Sequence, residues 1–259
     1  MSPSPSVSPS PARKADFNLD GFADLTWQNL LNGQRAIWFL QNGVFQSSTI
    51  LASVGLDWRM VGAADFDGDR HSDIAWENTT TGQRAIWFVR NGTFQSAANL
   101  PTVSPVWHIA GAGDFNADGH ADLAWQNTNT GERVIWILRN GVFQNGIALQ
   151  SVATNWDIRG VGDFNSDGHG DLVWQDRQSG TRVIWFLRNG VFQGAIQLLT
   201  VGTDWNIAGA ADYNADNHAD LVWQNANNGA RAIWFLRNGG LQSTINLPTV
   251  GTDWDITVH

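Results

Sequence analysis

Residues 114–126 read DFNADGHADLAWQ, and the fold follows from the way this stretch recurs. With its relatives it opens at Asp16, Asp65, Asp114, Asp163 and Asp212, each 49 residues from the next. The units starting at Asp114 and Asp163 agree at 29 of 49 positions without a gap, which chance does not produce. Five units, 15–63, 64–112, 113–161, 162–210 and 211–259, fill the chain after a first segment. That segment, residues 1–14 (MSPSPSVSPSPARK), alternates Ser with Pro, offers nothing to bury, and reads as a linker or a cloning remnant.

Within a unit the signals are those of short strands. In the third, Asp122–Asn127, Arg133–Arg139, Val142–Leu149 and Trp156–Gly162 are β-prone runs parted by turns. The Asn-Gly pairs at 42, 91, 140 and 189 are hairpin chemistry, because both residues accept positive φ, so consecutive strands should be antiparallel. RVIWILR at 133–139 is apolar on both faces, as a sheet covered on both sides requires.

All 15 Trp fall on three repeat positions, which makes them architectural first. A four-stranded unit of this length lies in the range of propeller blades. The expectation is an all-β, five-bladed β-propeller of four-stranded antiparallel blades. Trp254–His259 corresponds to the last strand of a unit and nothing equivalent precedes Asp16. The C-terminal strand should therefore complete the first blade and close the ring.

The chemistry lies in the loops DFNLDGFAD (16–24), DFDGDRHSD (65–73), DFNADGHAD (114–122), DFNSDGHGD (163–171) and DYNADNHAD (212–220). Oxygen donors at positions 1, 3, 5 and 9 of a tight loop, with the position-7 backbone carbonyl, match the needs of a hard cation such as Ca2+. The candidate ligands are Asp16, Asn18, Asp20, Phe22 and Asp24; Asp65, Asp67, Asp69, His71 and Asp73; Asp114, Asn116, Asp118, His120 and Asp122; Asp163, Asn165, Asp167, His169 and Asp171; and Asp212, Asn214, Asp216, His218 and Asp220. Metal-free turns rich in Asp and Asn form for reasons of their own. These loops, however, concentrate 16 of the 24 acidic residues, whose repulsion a cation would relieve. About one Ca2+ per blade, five in all, would bring the net charge of -9 close to neutral. Position 6 is Gly in three loops but Arg70 and Asn217 in two; Asn accepts positive φ readily and Arg at a cost.

The frame D-x-[DN]-x-D-G-x-x-D-[LI]-x-W followed by I-W-[FI]-[LV]-x-N-G resembles the FG-GAP or VCBS repeat family over residues 15–259. The resemblance implies structural Ca2+ between the first and second strands of each blade, and a kinship with integrin α-heads and propeller lectins.

Composition narrows the function classes. The absence of Cys removes disulfides and thiolate metal sites. A charge of -9 with 15 dispersed Lys and Arg argues against nucleic acid, and no apolar run reaches the roughly 18 residues of a membrane span. No nucleophile elbow or HExxH pair occurs, Glu is confined to Glu77 and Glu132, and no enzyme is expected.

Near-identical blades suit multivalent capture, and aromatic faces beside fixed polar groups suit sugars. Candidate ligand contacts are Trp58, Trp107, Trp156, Trp205 and Trp254, with Arg35, Arg84, Arg133, Arg182 and Arg231. Structural alternatives stand beside them. The arginines would pair with neighbouring acids, and Gln28, Gln126, Gln175 and Gln224 would satisfy backbone between blades. The expected partners are glycans or, alternatively, a protein surface; a scaffold without ligand is the third possibility. Calcium dependence points to an extracellular or periplasmic setting within a larger protein.

Overall fold

The computed structural model describes residues 14–258; the Ser/Pro segment up to residue 13, and residue 259, lie outside the described residues. Twenty strands form five four-stranded antiparallel sheets. In chain order they are β1 (Leu25–Asn29), β2 (Arg35–Gln41), β3 (Val44–Ile50); β4 (Trp58–Ala64), β5 (Asp73–Asn78), β6 (Arg84–Arg90), β7 (Thr93–Leu100); β8 (Trp107–Gly113), β9 (Asp122–Asn127), β10 (Arg133–Arg139), β11 (Val142–Leu149); β12 (Trp156–Gly162), β13 (Asp171–Asp176), β14 (Arg182–Arg188), β15 (Val191–Gln197); and β16 (Trp205–Ala211), β17 (Asp220–Asn225), β18 (Arg231–Arg237), β19 (Gly240–Leu247), β20 (Trp254–Ile256).

Each sequence unit gives three strands to one blade and its last strand to the next. β4 leads the sheet β4-β5-β6-β7, and β20 leads β20-β1-β2-β3. The C-terminal strand thus closes the ring, with Trp27 opposite Ile256 and Asn29 opposite Trp254. The outer hairpins turn at Asn-Gly, where Asn42 (φ 49°) and Gly43 (φ 73°) sit between paired Gln41 and Val44. Two successive positive φ values define the mirror-image turn that matches strand twist.

The core lies between blades. Trp27, Trp76, Trp125, Trp174 and Trp223 are buried on the second strand of each blade, and each packs on a tryptophan of the third strand at 4.5–4.8 Å between ring centroids. At the centre, the leading strands approach so closely that a Cβ at Gly62 would lie 2.9 Å from the Ala112 Cβ. Small residues on these strands let five blades close where larger ones would clash.

Candidate metal centre

Four acidic loops join the leading and second strands of a blade, as Asp65 to Ser72 join β4 to β5; the first, residues 16–24, leads into β1, whose leading neighbour is β20, and the five loops gather at one end of the ring axis. The chain reverses there through two residues of left-handed backbone. Position 6 has positive φ in all five loops: Gly21, Gly119 and Gly168 at 85–90°, Arg70 at 77° and Asn217 at 68°. Position 4 is left-handed too: Leu19, Ala117, Ser166 and Ala215 lie at 60–63°, and only the second loop places glycine there, Gly68 at 81°. Such backbone costs an L-residue roughly 1–2 kcal/mol and persists where the surroundings enforce it. That lone Gly68 was the available sign that position 4 turns as well.

The first aspartate of each loop is anchored by the turn: Gly21, Arg70, Gly119, Gly168 and Asn217 donate their amides to Oδ2 of Asp16, Asp65, Asp114, Asp163 and Asp212 at 2.8–3.0 Å. The ninth aspartate is buried on the sheet. Asp122 Oδ2 accepts from Phe115 N at 3.0 Å and Oδ1 from Leu138 N at 2.9 Å, and Asp24, Asp73, Asp171 and Asp220 repeat the pair. Burial pushes the carboxyls of Asp24, Asp73 and Asp220 up to about 8 and those of Asp122 and Asp171 up to about 7, against the pull of their amide donors. Burial also raises Asp16, Asp65, Asp114 and Asp163.

The second loop, with aspartate rather than asparagine at position 3, brings Asp65, Asp67 and Asp73 oxygens within 4.8 Å of one another. In the first loop, Asp16 Oδ1 is buried without a hydrogen-bond partner. An orphaned buried carboxylate oxygen in an all-oxygen donor set fits a hard cation, with Asp16, Asn18, Asp20, Asp24 and their counterparts as holders. The position-7 side chains point elsewhere. Nδ1 of His71, His169 and His218 lies 3.1–3.3 Å from the carbonyl of Phe17, Phe115 and Phe164, in each case on the neighbouring loop. The His120 ring instead lies against Gly68, and Phe22 stands at this position in the first loop.

The loops are also joined by backbone. Ala23, Ser72, Ala121, Gly170 and Ala219 donate amides to the carbonyls of Asp212, Asp16, Asp65, Asp114 and Asp163 at 2.7–3.1 Å, a closed circle of five bonds. Lys14, the last residue of the Ser/Pro segment, is half-buried beside them and donates Nζ to the Val161 carbonyl.

The other candidates divide sharply. Arg35, Arg84, Arg133, Arg182 and Arg231 are buried, and Nη2 of four of them donates to the carbonyls of Trp58, Trp107, Trp156 and Trp254 at 2.6–2.7 Å; Arg182 does the same to Trp205. Each guanidinium stacks on the buried tryptophan of the next blade at 4.8–5.5 Å, so the arginines bolt blades together and present nothing to solvent. The glutamines bridge blades as well: Gln28 takes the Met60 amide and Gln175 the Ile207 amide, both at 3.1 Å. Trp58, Trp107, Trp156, Trp205 and Trp254, by contrast, are partly exposed.

The FG-GAP-like repeat model matches residues 16–76 and 163–223, each match running from one acidic loop through the buried tryptophan after the next. The chain is an FG-GAP-repeat propeller. Among solved structures, a nidogen/laminin complex aligns with TM-score 0.53 at 11% identity over 90% of this chain and 95% of that one. Regucalcin, described as a calcium-binding protein, from Agrobacterium tumefaciens str. C58, aligns with TM-score 0.52 at 16% identity over 92% and 76%. At these identities the likeness concerns the fold. No curated protein matches this FG-GAP propeller.

Proposed function

We propose that this propeller is a non-catalytic, calcium-loaded binding module that captures glycans multivalently, with about one Ca2+ in each of its five loops. The carrying observation is a repeated, partly exposed tryptophan beside a fixed polar pair. Trp58, Trp205 and Trp254 each follow an aspartate, and Asp57, Asp204 and Asp253 accept from Asn78, Asn225 and Asn29 at 2.6 Å. Beside Trp156, Asn155 donates to Asp176 at 2.9 Å. An aromatic face packs the apolar side of a sugar ring, and carboxylate and amide oxygens accept its hydroxyls. Repetition around a ring converts weak single sites into avidity. Calcium in the loops would neutralise the buried ninth aspartates, and the millimolar Ca2+ outside cells would saturate even weak sites, which favours an extracellular or periplasmic setting.

A protein partner is the second reading, favoured by Val44, Phe45, Phe94, Val142, Phe143, Val191 and Phe192, which stand exposed on the outer strands. Screening the Ca2+-loaded protein against a glycan array and a panel of extracellular proteins tests the two. Glycan binding that Trp58→Ala and Trp205→Ala together weaken is the expected result; protein binding with a blank array would overturn the lectin reading.

A further inference from the structure

A ring of near-identical blades yields a unique site only where the blades differ, and one set of charged differences lies at the end of the axis opposite the acidic loops. One position after the partly exposed tryptophan, the five units carry Arg59, His108, Asp157, Asn206 and Asp255. Two positions further on they carry Val61, Ala110, Arg159, Ala208 and Thr257. The second set stands at a bulge: pairing passes from Ile158 opposite Trp174 to Gly160 opposite Val173, so Arg159 has no partner on β13. A bulge re-aims the residue it leaves out. Arg159 lines a cavity of about 340 Å3 at the axis and an adjoining one of about 240 Å3.

Most charges at this mouth are already engaged. Glu77 takes His108 Nδ1 at 2.7 Å and Arg84 Nε at 3.3 Å, and Asp157 holds Arg177 at 3.1 Å. Arg59 and Arg159 share the larger cavity yet neither donates a hydrogen bond nor lies in an ion pair, among the described residues. Asp255, also lining it, accepts from Gln224 at 3.2 Å. Two guanidinium groups without a hydrogen bond therefore share the cavity with Asp255, whose charge acts on both, and with Glu77, already taken by Arg84 and His108, which leaves a local excess of positive charge on a protein of net charge -9. Guanidinium is the group that grips carboxylate and phosphate oxygens through paired N–H donors, and a low-dielectric cavity strengthens that grip.

We propose that the axial mouth opposite the acidic loops binds a small hydroxylated anion, a sugar acid or sugar phosphate, whose oxyanion is held between Arg59 and Arg159 while Asp255 and Asn206 meet its hydroxyls. This site is single, so its stoichiometry is one per chain, and it is independent of the repeated tryptophans.

Calorimetric titration of the Ca2+-loaded full chain with glucuronate, glucose 1-phosphate and glucose tests it. Arg159→Ala installs the residue that two sister blades already carry at this place, so the fold tolerates it, and circular dichroism of the variant checks this. The expected result is one-to-one binding of glucuronate, glucose 1-phosphate or both, weakened at least tenfold by Arg159→Ala and again by Arg59→Gln, with glucose silent. The acid and the phosphate arms tell which oxyanion is preferred. Binding that survives Arg159→Ala, binding of glucose as tightly as the anions, or no binding of any of the three would overturn the assignment.

Discussion

The guanidinium of Arg231 lies 4.8 Å over the ring of Trp27, so a side chain from the last blade is stacked on the first. It is the tightest of five such contacts, and it occurs at the seam where the chain's last strand enters the first sheet. The same guanidinium donates to the carbonyls of Gly229, Val250, Gly251 and Trp254.

A lysine cannot reproduce that fork. Arg182→Lys keeps the charge but leaves several of the carbonyls of Gly180, Val201, Gly202 and Trp205 without a donor. The expected loss is about 2–4 kcal/mol, read from urea unfolding in saturating Ca2+. A loss under about 0.5 kcal/mol would show that water replaces the guanidinium at no cost.

Protons and calcium compete for the loops. In the metal-free fold the ninth aspartates hold their protons to about pH 7 or 8, whereas an aspartate in an unfolded chain releases its proton near pH 4. Between those values the folded form binds more protons, so stability in EDTA should fall as pH rises from about 4 through 8. Calcium binds the deprotonated carboxylates, so the gap in melting temperature between Ca2+ and EDTA should widen over the same window. Melting curves at pH 5, 6.5 and 8 check both; a gap that stays constant with pH would detach the metal from these residues.

Arg70 occupies φ 77° where three sister loops use glycine. Arg70→Gly relieves roughly 1–2 kcal/mol of backbone strain and returns part of it as unfolded-chain entropy. The net expectation is stabilisation of about 0.5–1 kcal/mol, measured by urea unfolding with and without Ca2+. The exchange should also tighten Ca2+ at this loop, whose Asp65, Asp67 and Asp73 already converge.

Deleting residues 252–259 removes β20 and exposes the edge of β1, together with the face of Trp27. Dye binding to exposed apolar surface and a broadened thermal transition are expected. An unaltered sharp transition would mean the ring does not depend on its closing strand.

The blade count, the four strands per unit and the closing strand were all readable because each rests on period, hairpin chemistry and the mismatch of the two ends. The loops were readable as loops for the same reason, since Asp, Asn and Gly at fixed spacing declare a turn. Two matters were not. The arginines carry the same letter whether they stack beneath a neighbouring tryptophan or reach a ligand, and only the assembled interface shows that their Nη donors go to carbonyls. Arg159 is equally silent in sequence, because its aim depends on a bulge that appears only when β12 is laid against β13. Local chemistry announces itself along the chain; the direction of a side chain is decided by strand pairing.

The hydrogen bonds between β20 and β1 have a topological consequence. Since the last strand and the first are neighbours in one sheet, the folded ring has no geometrically privileged origin. A circular permutant that joins residue 258 to residue 15 through a short glycine-serine tether and opens instead at Asn140-Gly141 exchanges one hairpin for another. The five blades should then assemble as before, in a chain that begins and ends on an outer edge.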